Sequence, residues 1–292
     1  MLKRFFQDVL AMNPSFRAFL GNDRANGEYE NIASEKYKKQ WEALVKKYNK
    51  LAQQPIQKPT LDTMSMNWVI KNEHELLGFP DEWMLLTSYD NPVLGFVVED
   101  TYVYPLKTKR DVINLIARTR KRIPFLHDVA KAMKDGVTKG TTIPKRVCLT
   151  VIEQLEKMLK TQSYYVNIPE YLDNSAYVKM IDTEYVPILY GLLEFLKQHA
   201  RKCRTSIGIC HVKRGREMYR ALVRSSTTMD ITPEEIHRRG RQGVKQLYKE
   251  FNKFKNTLAI SIGIREKGLR RNTLIHRIMA DADMYYKTPK MC

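Results

Sequence analysis

Apolar residues recur along most of this chain at steps of three and four, the period of an α-helix with one buried face. Over residues 2–20, Phe5, Val9, Met12 and Phe16 keep that spacing, and Asn13-Pro14 marks a turn or restart. Residues 21–32 are polar and turn-rich. Over 34–53, Tyr37, Trp41, Leu44, Val45, Tyr48 and Leu51 form a stripe, Lys38, Lys39, Lys46 and Lys47 stay in water, and Pro55 and Pro59 stop the element. A further helix is predicted over 61–77. The period then breaks: residues 79–105 carry β-branched and aromatic side chains with Asn91-Pro92 and Gly95 between them, which predicts a loop or a short strand pair.

Helical spacing returns over 109–135, where Val112, Leu115, Ile116, Ile123, Leu126, Val129 and Met133 face inward and Pro124 predicts a kink or a split. Helices follow over 144–159 and 176–199, the second with a bend near Pro187, separated by an aromatic turn at 163–169. A basic loop at 201–214 precedes a helix at 216–224. The tail reads as a basic turn at 265–271 and a last apolar-periodic segment at 272–286. The pattern predicts a mostly α protein, a multi-helix array of about eight to ten helices with few or no strands. No long linker interrupts it, so residues 1–292 are expected to form a single helical domain.

The clearest helix boundary lies within residues 215–255. Thr232 offers a hydroxyl to free backbone N–H groups, Pro233 sits where its missing N–H costs nothing, and Glu235 occupies the third helical position. Beyond this structural cap, Ile236, Gly240, Val244, Leu247, Phe251 and Phe254 recur on one side, while Arg238, Arg241, Lys245, Lys249 and Lys253 recur on another. One face is expected to be buried and the other to be strongly positive.

Charge sharpens the picture. The formal net charge is +18, and it is unevenly placed. Residues 1–100 hold 12 Lys and Arg against 14 Asp and Glu, acidic to neutral, whereas 101–292 hold 38 against 18 and are strongly basic. Such asymmetry points to a polyanionic partner, an acidic protein surface or nucleic acid bound without sequence specificity. The cations expected to meet it are Arg201, Lys202, Arg204, Lys213, Arg214 and Arg216 in and after the basic loop, Arg238, Arg239, Arg241 and Lys245 on the capped helix, and Arg270 and Arg271 in the tail. No helix-turn-helix or zinc-finger pattern is present to read a base sequence.

No apolar run is long enough to span a bilayer, and the first residues do not read as a signal peptide, so an intracellular protein is expected. The four cysteines, Cys148, Cys203, Cys210 and Cys292, form no C-x-x-C pair and are expected to be reduced. Cys203, Cys210 and His211 lack the remaining ligands of a zinc site. His74-Glu75 opens like the metalloprotease signature His-Glu-x-x-His, yet Gly78 stands where the second histidine belongs. No metal, cofactor or catalytic group is assigned from these residues.

One set of motifs does resemble a known family. Gly215, Tyr219, Thr227-Thr228, the run Ile231-Thr232-Pro233-Glu234-Glu235-Ile236-His237 and Gly240 are similar to the G-x-x-x-Y... T-T-x-L-T-P-E-E-I-H-x-x-G signature of the domain-of-unknown-function 885 family, a group of zinc-peptidase-like helical proteins. Ala117-Arg118 with Pro124 resembles its A-R-L-R-x-x-P pattern, and Gly136, Gly140, Pro144 and residues 151–155 follow it; Asn13-Pro14 and Gly21 resemble its opening. The resemblance implies the helical scaffold of the N-terminal half of that family. It also implies a His-Glu-x-x-Pro-Gly-His metallopeptidase motif in a C-terminal half, which no position here matches. His74, His127, His199, His211, His237 and His276 have no partner at that spacing, and Thr227 and Thr228 would face a cleft whose other wall is not in this sequence.

The expectation that follows is a peptidase-like pseudoenzyme. It would serve as a structural or binding component of a larger assembly, including a virion component within a virus particle, and would contact its acidic partner through the basic C-terminal surface. The alternative is one half of a split zinc peptidase whose metal-bearing half is another chain.

Overall fold

The computed structural model describes residues 2–54, 59–79, 95–261, 263 and 271–280. Among these the chain is helical, and its single β-bridge joins Pro144 to Arg204. It divides into two compact units, Met1–Met229 and Asp230–Cys292.

In the first unit, α1 (Leu2–Met12) and α2 (Pro14–Phe19) break at Asn13-Pro14 as the sequence predicts. α3 (Glu35–Ala52) starts at Ser34, whose hydroxyl accepts from Tyr37 N, and packs along α4 (Leu61–Leu76). Leu44, Tyr48, Met66 and Ile70 form a small core between them, with Phe5 and Val9 of α1 against it.

The loop or short strand pair expected within 79–105 is not what 96–102 forms; residues 80–94 lie outside the described residues. Phe96–Tyr102 is a short helix, α5. The reason is visible in its burial: Phe96 and Asp100 lie one helical turn apart and both are buried. Because one of those inward positions is a carboxylate, apolar periodicity alone does not see the helix.

α6 (Lys109–Lys139) is the longest helix of this unit. Thr108 and Asp111 close a capping box at its start, and Gly140, at φ 71°, ends it in the left-handed region where a Cβ is disfavoured. Pro124 sits inside α6 without splitting it and leaves the ladder one backbone donor short. α7 (Lys145–Thr161) follows directly. Near Pro187, where a bend is expected, the helix passes through a π-helical turn, residues 181–185, between α8 (Ser175–Met180) and α9 (Val186–His199); Val186 N donates to Ile181 O, and Pro187, which has no N–H to give, follows directly. α6, α7 and α9 enclose the main core, including Leu115, Phe125, Val129, Val151, Leu155, Leu189 and Leu196. α10 (Gly215–Thr227) packs on α4.

The second unit holds α11 (Pro233–Ser261) and α12 (Arg271–Met279). They meet through Ala259 and Leu274, with Leu258 and Ile278 beside them.

Candidate functional site

The basic residues singled out in the sequence divide into those that hold the fold and those that face water. Arg204 is half-buried. Its Nε donates to Thr142 O at 2.8 Å and its Nη1 to Ser206 O and Gly208 O at 3.0 and 2.8 Å, so it ties its own loop together. Arg214, at φ 59°, bonds Glu217 at 2.9 Å and Gly78 O at 2.9 Å and lies over the Phe79 ring. Together with the Arg224–Glu75 ion pair it clamps the end of α4 to α10. Glu75 is thereby engaged structurally, and the neighbouring His74 is exposed. Arg201, Lys202, Lys213 and Arg216 are exposed, the first two bordering an open cleft with Glu194, Lys197 and Gln198.

In the second unit the cap forms as predicted: Glu235 N donates to Thr232 Oγ1 at 3.2 Å. Glu235 also accepts from Arg238 at 2.6 and 2.7 Å and from Arg239 at 2.7 Å, and these bonds hold its carboxyl down to about 2. Arg238 and Arg239 therefore share one carboxylate, which offsets one of their two charges. Arg241, Lys245, Lys249 and Lys253 differ. They follow one another at four-residue steps along about 18 Å of helix, all are exposed, and among the described residues none has an acidic partner. Arg270 lies outside the described residues, and Arg271 opens α12.

The apolar face of α11 departs from expectation. Val244, Leu247 and Phe254 are 51%, 64% and 58% exposed, and Ile236 and Phe251 are only half-buried. Periodicity reports that a face is suited to burial, but a helix needs a neighbour along its length to achieve it. Among the described residues of this unit, α12 reaches only the last turns, at Ala259.

Two features of the first unit escape sequence reasoning. A cavity of about 380 Å³ opens between α3, α4 and α10, lined by Tyr37, Trp41, Phe79, Met218, Glu42 and Glu73 among others; burial pushes the Glu73 carboxyl up. The second is a charged centre in the core. Asp100 accepts from Arg118 Nε at 2.7 Å and from Arg122 Nη2 at 2.9 Å, and Arg118 also donates to Asn26 O and stacks 3.5 Å from the Tyr104 ring centre. All three charged side chains are at most 1% exposed. The signal was the Arg-rich run at 118–122, but its partner lies in α5, which the pattern did not reveal. Among the described residues, no group of three or more His, Cys, Asp or Glu side chains is placed to hold a metal ion.

Residues 14–290 match the family model described as bacterial protein of unknown function (DUF885). No curated protein matches this chain by sequence. Among solved structures, the crystal structure of a candidate lipoprotein from Colwellia psychrerythraea superposes with a TM-score of 0.70 at 12% identity, over 96% of this chain and 52% of that one. The chain thus spans about half the length of that structure, which shares its fold.

Proposed function

This chain belongs to the DUF885 family, and from that premise we propose that it is a non-catalytic helical scaffold that binds an acidic partner, protein or nucleic acid, within a larger assembly. The observation that carries this reading is the exposed row Arg241, Lys245, Lys249 and Lys253 on α11, four cations without acidic partners among the described residues. Cations set at one helical turn match a chain of phosphates or carboxylates, and their attraction is electrostatic and independent of sequence.

The test is salt-dependent binding to duplex DNA and to a polyglutamate peptide, for the parent chain and for the variant with all four cations changed to Ala. Binding that weakens with salt, and for DNA a logarithmic salt slope that falls by roughly 0.9 for each cation removed, is the expected result. Unchanged binding by the fourfold variant would remove the reading.

The exposed Val244, Leu247 and Phe254 favour a second reading, a split zinc peptidase in which another chain covers that face and brings the metal. Zinc content and peptide hydrolysis, measured on the chain alone and with proteins that co-purify, distinguish it from the first.

A further inference from the structure

Cys148 and Cys203, far apart in the chain, meet in the first unit. Cys148 lies on the buried face of α7 and its Sγ donates to Leu196 O at 3.6 Å; Cys203 follows the end of α9 and its Sγ donates to His199 O at 3.5 Å. Both carbonyls belong to the last turn of α9, so the two sulfurs converge on one spot. Backbone bonds hold the segments there: Lys145 N donates to Arg204 O at 2.7 Å, and Arg204 N to Thr142 Oγ1 at 3.1 Å. Both cysteines are free.

We propose that Cys148 and Cys203 are a disulfide-forming pair, oxidised reversibly by thiol–disulfide exchange with a small anionic disulfide. Cys203 is the attacking group. Interaction with the neighbouring Cys148 thiol, with a further contribution from His199, lowers its thiol pKa, while the same interaction and burial push Cys148 well up. Cys203 is also the more accessible of the two, at 7% exposed, and the adjoining Arg201 and Lys202 face solvent. They favour a reagent carrying carboxylates.

In the first step the Cys203 thiolate bonds to one sulfur of the reagent, the reagent's S–S bond breaks, and one thiolate leaves. In the second, Cys148 gives up its proton to solvent and attacks Cys203 Sγ, and the second reagent thiolate leaves and is protonated. Two protein thiols become one disulfide, and one reagent disulfide is reduced to two thiols. The bond would tie α7 to the segment after α9 and restrict the unfolded chain.

The experiment uses the full chain with Cys210→Ser and Cys292→Ser, incubated with oxidised glutathione, quenched by alkylation and analysed by mass and peptide mapping. The expected result is a loss of two hydrogens, a peptide linking 148 to 203, and a rise in Tm of about 5 °C or more that dithiothreitol reverses. Adding Cys148→Ser is expected to stop the reaction at one glutathione adduct on Cys203. Full alkylation of both thiols after oxidant, or a stable adduct on Cys203 with Cys148 present, overturns the proposal. The peptide map of the Cys148-containing chain decides the matter even where Cys148→Ser does not fold.

Discussion

Asp100 offers the sharpest test at the scale of single residues. It is the carboxylate shared by Arg118 and Arg122, and all three are shut off from water. Removing one partner of a buried ion group strands the others, whereas removing one partner of an exposed pair changes little. Asp100→Ala is therefore expected to cost about 3–5 kcal/mol in denaturant unfolding, and Glu75→Ala, whose pair with Arg224 is about a third exposed, under about 1 kcal/mol. Similar losses from the two changes would show that the buried cluster is not what holds α5 to α6. Gly215 is decided by space. A Cβ there would lie 1.8 Å from Ile209 O, inside any allowed contact. Gly215→Ala should destabilise by about 2 kcal/mol or more, read from the same unfolding curves. The glycine was legible as part of a motif, but its reason is a backbone approach from a loop that no sequence pattern specifies.

At the scale of elements, helix ends were the most legible feature, because caps are local chemistry. Ser34, Thr108 and Thr232 all accept backbone N–H bonds where the chain enters a helix. The end of α11 has a pH signature. Glu235 is held at about 2 against an ordinary value of 4.5 by Arg238 and Arg239. A lowered carboxyl pKa stabilises the folded helix fully above pH 4.5, and that contribution is lost as pH falls through about 2. An NMR titration should place the Glu235 midpoint near 2, and Arg238→Ala with Arg239→Ala should return it toward 4.5; a midpoint already at 4.5 in the parent would refute the pairing. α5 shows the opposite case. Its inward positions combine Phe96 with Asp100, so the residues that bury it do not read as an apolar stripe.

At the scale of the molecule, the two units have unequal resources. Both apolar clusters built on α1, α3, α4, α6, α7 and α9 lie within Met1–Met229. Residues 1–229 expressed alone are accordingly expected to unfold cooperatively with a Tm within a few degrees of the full chain, and under the proposed function to lose polyanion binding. Retained binding would move the site away from α11; a non-cooperative melt would show that the larger unit does not stand alone.

The helical class, the positions of most helices and the cap at Thr232 followed from the sequence by itself, since periodicity and capping depend on residues within one or two turns. The uneven charge was equally plain. The tertiary structure decided which cations are engaged and which, among the described residues, have no acidic partner: Arg204 and Arg214 bond carbonyl groups and Arg238 and Arg239 share Glu235, whereas Arg241, Lys245, Lys249 and Lys253 face water. It also decided that the apolar face of α11 is largely exposed, and it brought Asp100 to Arg118 and both Cys148 and Cys203 to the last turn of α9. The last two are relations between residues distant in the chain. Spacing along one helix carries no record of the groups that fold against it.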